Sequence, residues 1–136
     1  MDNVELVKLA KGASKNAYAP YSNHTVGAAL LGKSGKIHTG CNVENVAFSP
    51  TNCAERTAFF KAISEGEREF IKIAIVGGKD LNFENYFPPC GVCRQVMMEF
   101  CKLDFEIVLG KNDDEYIIKT LEEILPLSFS VADFKK

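Results

Sequence analysis

The chain has 136 residues, of which 46% are hydrophobic and 25% are charged, as is usual for one soluble globular domain covering residues 1–136. Its 16 Lys and Arg residues against 18 Asp and Glu residues give a net charge of −2, and no basic block occurs. This balance argues against a nucleic acid held through its phosphates, so a small neutral ligand is the better expectation.

The N-terminal segment predicts an amphipathic helix that ends near Tyr18, before the PYSN turn at 20–23. It lacks the basic start and apolar run of a signal peptide. No apolar run approaches the roughly 20 residues that span a bilayer. We therefore expect a cytoplasmic protein with no membrane partner, whose thiols stay reduced. The apolar residues of the helix recur at Val4, Val7, Ala10, Ala13 and Ala17.

The next segment, TVGAALLGKSGKIHTGC, predicts a hairpin around residues 33–36, in which Gly35 supplies a positive φ. The polar turn NVEN follows at 42–45. A second helix is then predicted within SPTNCAERTAFFKAISEG, capped by Ser49 or Thr51 and ended by Gly66.

The rest of the chain alternates strands and helices. FIKIAIVGG predicts a central buried strand, CGVCRQVMMEFC a helix, and DFEIVLG and EYIIKT two further strands. TLEEILP predicts a short helix before an aromatic tail with Phe129 and Phe134. This order predicts an α/β fold, a three-layer α-β-α sandwich with a mixed sheet of about five strands.

Residues 88–95 read PPCGVCRQ and place Cys90 and Cys93 three apart at the start of a predicted helix. Such residues share a face of a helical turn, so both thiols can bind one ion. Cys53 supplies a third sulfur if its helix begins beside the other. The positive end of a helix dipole favours the thiolates that a metal requires. Three protein ligands leave one position of a zinc ion open, as catalytic sites do.

Charged residues surround this cysteine set. Glu55 follows Cys53 by two residues and is predicted to reach a water on the metal as a general acid/base. Arg56 and Arg94 are expected to donate to the sulfurs and to offset the excess charge of three thiolates on one Zn²⁺. The alternative for both arginines is a solvated position on a helix.

Two other interpretations of the cysteines are open. A redox pair would explain CGVC but would leave residues 53–55 without a role. A closed structural zinc site would take Cys41 or Cys101 as its fourth ligand and would have no use for the nearby glutamate. We predict that Cys41 and Cys101 are small buried residues and that His38 is a surface or edge residue.

The chain resembles the zinc-dependent nucleoside deaminases, whose signature joins C-A-E to P-C-x-x-C. More narrowly, it resembles the small homotetrameric cytidine deaminases. The matching segments are APYS at 19–22, VGAAL at 26–30, NVEN at 42–45, CAERTA at 53–58 and PCGVCRQ at 89–95.

The resemblance implies a metal site and a reaction. Cys53, Cys90 and Cys93 would hold one zinc ion per chain, and Glu55 would move protons between water and the base. The implied reaction is hydrolytic deamination of cytidine, and of 2′-deoxycytidine, in pyrimidine salvage.

The resemblance also implies the substrate contacts. Asn42 and Glu44 would bind the ribose hydroxyls, and the backbone around Ala54 would contact the pyrimidine. Phe129, in the tail of a neighbouring subunit, would cover the base, which implies a homotetramer.

Some positions depart from the family pattern. His24 stands where Phe is common, Phe48-Ser49 replaces Tyr-Gly, and Leu127 replaces a small residue. His24 and Leu127 resemble the blasticidin-S deaminases, whereas NVEN and Arg56 resemble the cytidine enzymes.

Blasticidin S or another cytosine derivative is therefore the alternative substrate, and a non-catalytic zinc module is the rival of another class. His24 is expected to stack on or hydrogen-bond to the base, with a structural role as its alternative.

Overall fold

A mixed sheet of five strands forms the middle of the protein, which a computed structural model describes over residues 1–134. The strands are β1 (His24–Gly32), β2 (Ile37–Cys41), β3 (Phe70–Lys79), β4 (Glu106–Gly110) and β5 (Tyr116–Thr120). The strand order is β2-β1-β3-β4-β5, so the predicted central position of β3 is confirmed. β3 and β4 run parallel, and the other neighbouring strands run antiparallel.

Helices cover both faces of the sheet. They are α1 (Asn3–Ser14), α2 (Ala54–Ser64), α3 (Gly91–Phe100), α4 (Leu121–Ile124) and α5 (Val131–Phe134), with a 3₁₀ turn at Asn112–Asp114. Side chains alternate between faces along each strand: Ile73 and Ile75 of β3 join the core under α2 and α3, whereas Ala74 and Val76 join the core under α1. The predicted three-layer α/β sandwich is therefore confirmed.

Helix ends differ from the sequence prediction at two places. α1 ends at Ser14 rather than near Tyr18 because the following N–H groups bond three residues back and the N–H of Tyr18 donates to the carbonyl of Asn42. α2 is preceded by Cys53 as its N-cap, so neither Ser49 nor Thr51 caps it. The short α5 lies in the tail, for which no helix is predicted.

Two glycines set the geometry around the hairpin and α2. Gly35 has the predicted positive φ, 92°, in the β1–β2 turn. Gly40 lets α2 approach β2 closely, because a Cβ there would lie 2.5 Å from the carbonyl oxygen of Ala54. The first turn of α2 therefore rests directly on β2.

His38 is on the edge strand, as predicted, but its side chain is buried rather than at the surface. Two carboxylates of the α2–β3 turn cover its ring. Nδ1 lies 3.2 Å from an oxygen of Glu65, and Nε2 lies 3.3 Å from an oxygen of Glu67. The sequence pattern of β2 does not reveal this cover because the turn is 27 residues away from His38.

Among the helices within residues 1–134, none has both the length and the apolar character needed to cross a bilayer.

Candidate metal centre and substrate site

The candidate metal ligands lie where two helices begin. Cys53 is the N-cap of α2, and Cys90 is the N-cap of α3. Thr57, in the first turn of α2, donates its hydroxyl to the carbonyl of Cys41 at the end of β2 (2.9 Å). This bond and the close approach at Gly40 fix the start of α2 against the sheet.

The three thiols converge on one point. The sulfur atoms of Cys53, Cys90 and Cys93 all lie within 4.8 Å of one another, and those of Cys53 and Cys90 are 3.7 Å apart. Sulfurs bound tetrahedrally to zinc at about 2.3 Å would be separated by about 3.8 Å. The residues therefore fit a zinc ion. Within residues 1–134 no fourth His, Cys, Asp or Glu joins this group, so one zinc position stays open.

Hydrogen bonds and charge stabilise thiolates in this cluster. Nη2 of Arg56 donates to the sulfur of Cys53 (3.2 Å), and the backbone N–H of Cys93 donates to the sulfur of Cys90 (3.4 Å). A hydrogen bond from Cys93 lowers the pKa of Cys53, and Arg56 lowers it further against the opposing effect of burial. The hydrogen bond to Cys53, together with burial, raises the pKa of Cys93. Cys53 is therefore the thiol favoured as a thiolate, and metal binding would displace the proton from Cys93.

Glu55 is a buried carboxylate beside these sulfurs. Its side chain is on the first turn of α2, and 2% of the residue is exposed. Burial raises the pKa of Glu55 to about 7. Its Oε1 has no hydrogen-bond partner among the described residues. Because an unpaired buried polar atom is costly, this oxygen indicates a bound molecule that supplies the missing partner.

The two arginines differ in their contacts. Arg56 makes the expected contact with a sulfur, whereas the contacts described for Arg94 are to backbone carbonyls. Nε of Arg94 donates to the carbonyl of Pro89 (2.8 Å), and Nη1 donates to the carbonyl of Ile124 (2.6 Å). Arg94 therefore joins α3 to the loop before it and to the end of α4.

Asn42 and Glu44, the predicted ribose contacts, both form hydrogen bonds with residues in or just before the start of β1. The side chain of Asn42 accepts from the N–H of Val26 (2.9 Å) and donates to the carbonyl of His24 (2.8 Å). Glu44 accepts from the N–H groups of Tyr21 and Ser22 and from the Ser22 hydroxyl. An amide and a carboxylate each offer about four hydrogen-bonding positions. Both side chains therefore keep capacity for a ligand.

These hydrogen bonds also act on the ionisation of Glu44. Slight burial opposes the shift, but the bonds from Ser22 and Tyr21 hold the pKa of Glu44 below its ordinary value. Glu44 is thus a carboxylate that accepts hydrogen bonds, which suits the recognition of hydroxyl groups.

His24 is the first residue of β1, and its ring is exposed. Its Nδ1 lies 2.9 Å from the carbonyl oxygen of Ser22. A carbonyl only accepts, so Nδ1 carries the hydrogen of this bond and Nε2 of the neutral ring is an acceptor.

A surface hollow lies beside Glu44. It has a volume of about 360 Å³ and is lined by Tyr21, Ser22, Glu44, Phe48 and Thr51. The rings of Tyr21 and Phe48 meet edge to face, with centroids 6.2 Å apart. The size and the mixed lining suit part of a small molecule with both a ring and hydroxyl groups.

Ala54 and Phe129, the two remaining predicted contacts, differ in exposure. Ala54 is buried at the first position of α2, where backbone N–H groups have no intrahelical acceptor. Phe129 lies in the tail with 64% of its surface exposed, and its carbonyl accepts from Gln95 (2.8 Å).

Two residues of this region were not singled out from the sequence. Ser22 bonds to Glu44 and also accepts from the backbone N–H of His24 (3.0 Å), and Gln95 binds the tail. Both lie inside the matched segments APYS and PCGVCRQ, which is the signal that could have drawn attention to them.

The other cysteines lie outside the metal group. Cys41 and Cys101 are half-buried, and burial raises the pKa of both, that of Cys101 to about 12. Their environments favour neutral thiols, and neither of them joins the metal group.

Comparisons with known proteins agree with this geometry. Residues 1–109 match the family model of the cytidine and deoxycytidylate deaminase zinc-binding region. A cytidine deaminase of Halalkalibacterium halodurans is 46% identical over 133 residues, which are 98% of each chain.

Solved structures are similar as well. The crystal structure of a cytidine deaminase from Burkholderia pseudomallei has a TM-score of 0.88 and 44% identity, over 95% of this chain and 100% of that one. The cytidine deaminase of Mycobacterium tuberculosis has a TM-score of 0.80 and 35% identity, over 96% of this chain and 98% of that one.

Proposed function

Because the chain belongs to the zinc-binding cytidine and deoxycytidylate deaminase family, we propose that it hydrolyses cytidine to uridine and ammonia. The observation that carries this proposal is the unpaired buried carboxylate of Glu55 beside three convergent thiols. We extend the proposal to 2′-deoxycytidine as a second substrate and to a cytoplasmic role in pyrimidine salvage. We also propose that residues 1–136 form one domain; the last two of these lie outside the described residues.

Cys53, Cys90 and Cys93 are the residues that would hold zinc. When bound there, zinc supplies Lewis acidity that makes a water molecule a nucleophile near neutral pH. Arg56 stabilises the thiolate of Cys53 through its hydrogen bond. The chain thus provides ligands, an open position and a counter-charge.

Glu55 has the proton-transfer role. It takes a proton from the attacking water and gives it to N3 of the cytosine ring, while the water oxygen bonds to C4. It then takes the remaining hydroxyl proton and gives it to the amino group. The C4–N4 bond breaks and ammonia leaves. A pKa of about 7, raised by burial, suits a group that must both accept and donate protons.

The substrate contacts follow from hydrogen-bonding capacity. Asn42 and Glu44 would bind ribose hydroxyls with the positions that their own bonds leave available. N–H groups around Ala54 at the helix start would meet the pyrimidine carbonyl. His24 would offer Nε2 as an acceptor at the edge of the site.

We further propose a homotetramer in which Phe129 covers the base bound by a neighbouring subunit. The exposure of Phe129 supports this, as does that of other large apolar side chains, since contiguous exposed apolar patches often mark interfaces. Examples are Val46 (72%), Phe48 (71%) and Phe134 (84%).

Ammonia release by the zinc-loaded protein tests the function, with cytidine, 2′-deoxycytidine and blasticidin S offered separately. We expect turnover of both nucleosides and near-complete loss in Glu55→Gln, with zinc content and fold kept. Turnover of blasticidin S alone would move the chain to the blasticidin-S deaminases, which His24 and Leu127 resemble. No ammonia from any of the three would favour the non-catalytic zinc module.

A further inference from the structure

The C-terminal segment is attached to the helix that carries two metal ligands. Arg94 of α3 donates to the carbonyl of Ile124 (2.6 Å), at the end of α4. Gln95 donates through Nε2 to the carbonyl of Phe129 (2.8 Å). Met98 lies three residues after Gln95 on α3, and its sulfur accepts from the hydroxyl of Ser128 (3.3 Å). Three residues within one turn of α3 therefore contact the C-terminal segment between residues 124 and 129.

The backbone around Phe129 is held while its ring is exposed. The N–H of Ser130 donates to the carboxylate of Asp133 (2.9 Å), which fixes the start of α5. The bond from Gln95 fixes the carbonyl just before it. The Phe129 carbonyl and the Ser130 N–H belong to the same peptide group, so both bonds hold the peptide that directly follows the ring-bearing residue. The 64% exposure of Phe129 shows that the segment folds without burying this ring in its own chain.

We propose that Gln95 is a positioning residue that orders the tail so that Phe129 can contact the substrate. This rests on the proposed function, in which Phe129 covers the base in a neighbouring subunit. Gln95 follows Cys93 by two residues on the same helix. The tail is thereby tied to the helix that carries Cys90 and Cys93. Without this bond, ordering the tail would cost conformational entropy each time substrate binds.

The effect should fall on KM rather than on kcat. Gln95 does not touch the reacting atoms, and it acts before chemistry by making the tail ready for binding. One neutral hydrogen bond corresponds to about a three- to tenfold change in affinity. We therefore expect Gln95→Ala to raise KM for cytidine about three- to tenfold, with kcat within about twofold. Gln95→Glu keeps the shape but cannot donate, so it should behave like Gln95→Ala.

The test compares zinc-loaded Gln95→Ala, Phe129→Ala and the double variant. If Gln95 acts through Phe129, then Gln95→Ala adds no further rise in KM once Phe129 is alanine. Glu99→Ala is the matched control, because Glu99 lies one turn further on the exposed side of α3 and lines the same hollow under the tail. Its KM should stay at the wild-type value.

Each failure has its own pattern. An unchanged KM in Gln95→Ala, beside a raised KM in Phe129→Ala, would overturn the role of Gln95 alone. An unchanged KM in Phe129→Ala would overturn the substrate contact of Phe129 and with it the role of Gln95. Hydrogen exchange of residues 127–134 tests the attachment without turnover. Faster exchange in Gln95→Ala but not in Glu99→Ala is expected, and equal exchange would overturn the attachment even if the enzyme proved inactive on cytidine.

Discussion

At the residue scale, we expect the metal centre to depend on the charge of Arg56. Three thiolates outweigh the charge of one Zn²⁺ by one unit, and an uncompensated charge in a partly buried site is costly. Arg56 is the guanidinium that donates to a ligand sulfur, at 3.2 Å from Cys53. It also stands next to Glu55, so it can influence both the metal and the proton-transfer group.

Replacing Arg56 with glutamine should therefore weaken zinc retention. We expect metal affinity or turnover to fall about 10- to 100-fold, as for other side chains that support metal ligands. The measurement is zinc loss to a chelator together with ammonia release. Lys61→Gln is the control, since it removes an exposed positive charge from the same helix. Equal zinc retention in the two variants would contradict this role of Arg56.

The sequence predicted single residues well where their chemistry is local. Cysteine spacing and helix starts indicated the three ligands, because the ligand type and the helical turn are both properties of short segments. Arg94 shows the limit. Its guanidinium donates to the carbonyl of Ile124, 30 residues away, and no local pattern encodes where that carbonyl lies. Likewise, His38 is buried by Glu65 and Glu67, which lie 27 and 29 residues further along the chain.

At the element scale, the β1–β2 hairpin is clamped to the α2–β3 turn by charged groups. His38 contacts Glu65 and Glu67, Lys36 pairs with Glu65 (3.3 Å), and Ser34 donates to Glu67. Both His38 contacts are hydrogen bonds only when both ring nitrogens carry a hydrogen. Hydrogen bonds from Lys36 and His38 lower the pKa of Glu65, and those from Ser34 and His38 lower the pKa of Glu67.

This clamp should make stability depend on acid pH. Because both carboxylates have a lower pKa in the folded chain, the unfolded chain binds more protons below about pH 5. Their contribution is therefore present above the ordinary glutamate pKa, about 4.3, and is lost as the pH falls through the lowered folded value. We expect the Tm of Glu67→Gln to fall less than that of the wild type between pH 6 and pH 3.

Glu5→Gln serves as the comparison, because the carboxylate of Glu5 has no hydrogen-bond or ion-pair partner among the described residues. It should keep the wild-type slope of Tm against pH. A Glu67→Gln slope equal to that of the wild type would show that the clamp does not contribute to acid sensitivity.

The elements themselves were largely predictable because apolar periodicity and turn residues specify helices and strands locally. Their ends were less so. The carbonyl of Asn42 binds the N–H of Tyr18, which lies beyond the last turn of α1, and Cys53 rather than a hydroxyl residue precedes α2. Before α2, Asn52 exchanges two backbone hydrogen bonds with Val43 (both 2.9 Å), so in both places a contact from another part of the fold prevails over the local preference.

At the scale of the whole molecule, the proposed tetramer would cover exposed aromatic side chains with a second chain. Phe129 and Phe48 expose 64% and 71% of their surfaces, and Phe48 lines the hollow beside Glu44. A proposed tetramer would sediment at four times the chain mass of 15.0 kDa. A fully active monomer would refute it. Mass alone does not show which chain supplies Phe129 to which site, so hybrid oligomers are needed.

Hybrids of Glu55→Gln and Phe129→Ala subunits separate the two arrangements. Only the Phe129→Ala subunits keep Glu55, so all turnover comes from their sites. If a neighbour supplies the ring, some of these sites receive an intact Phe129 from a Glu55→Gln subunit, and part of the turnover regains the wild-type KM. If each chain uses its own tail, every active site lacks the ring, and the KM stays that of Phe129→Ala. We expect the first result from co-expressed hybrids, and the second from unmixed Phe129→Ala oligomers measured beside them.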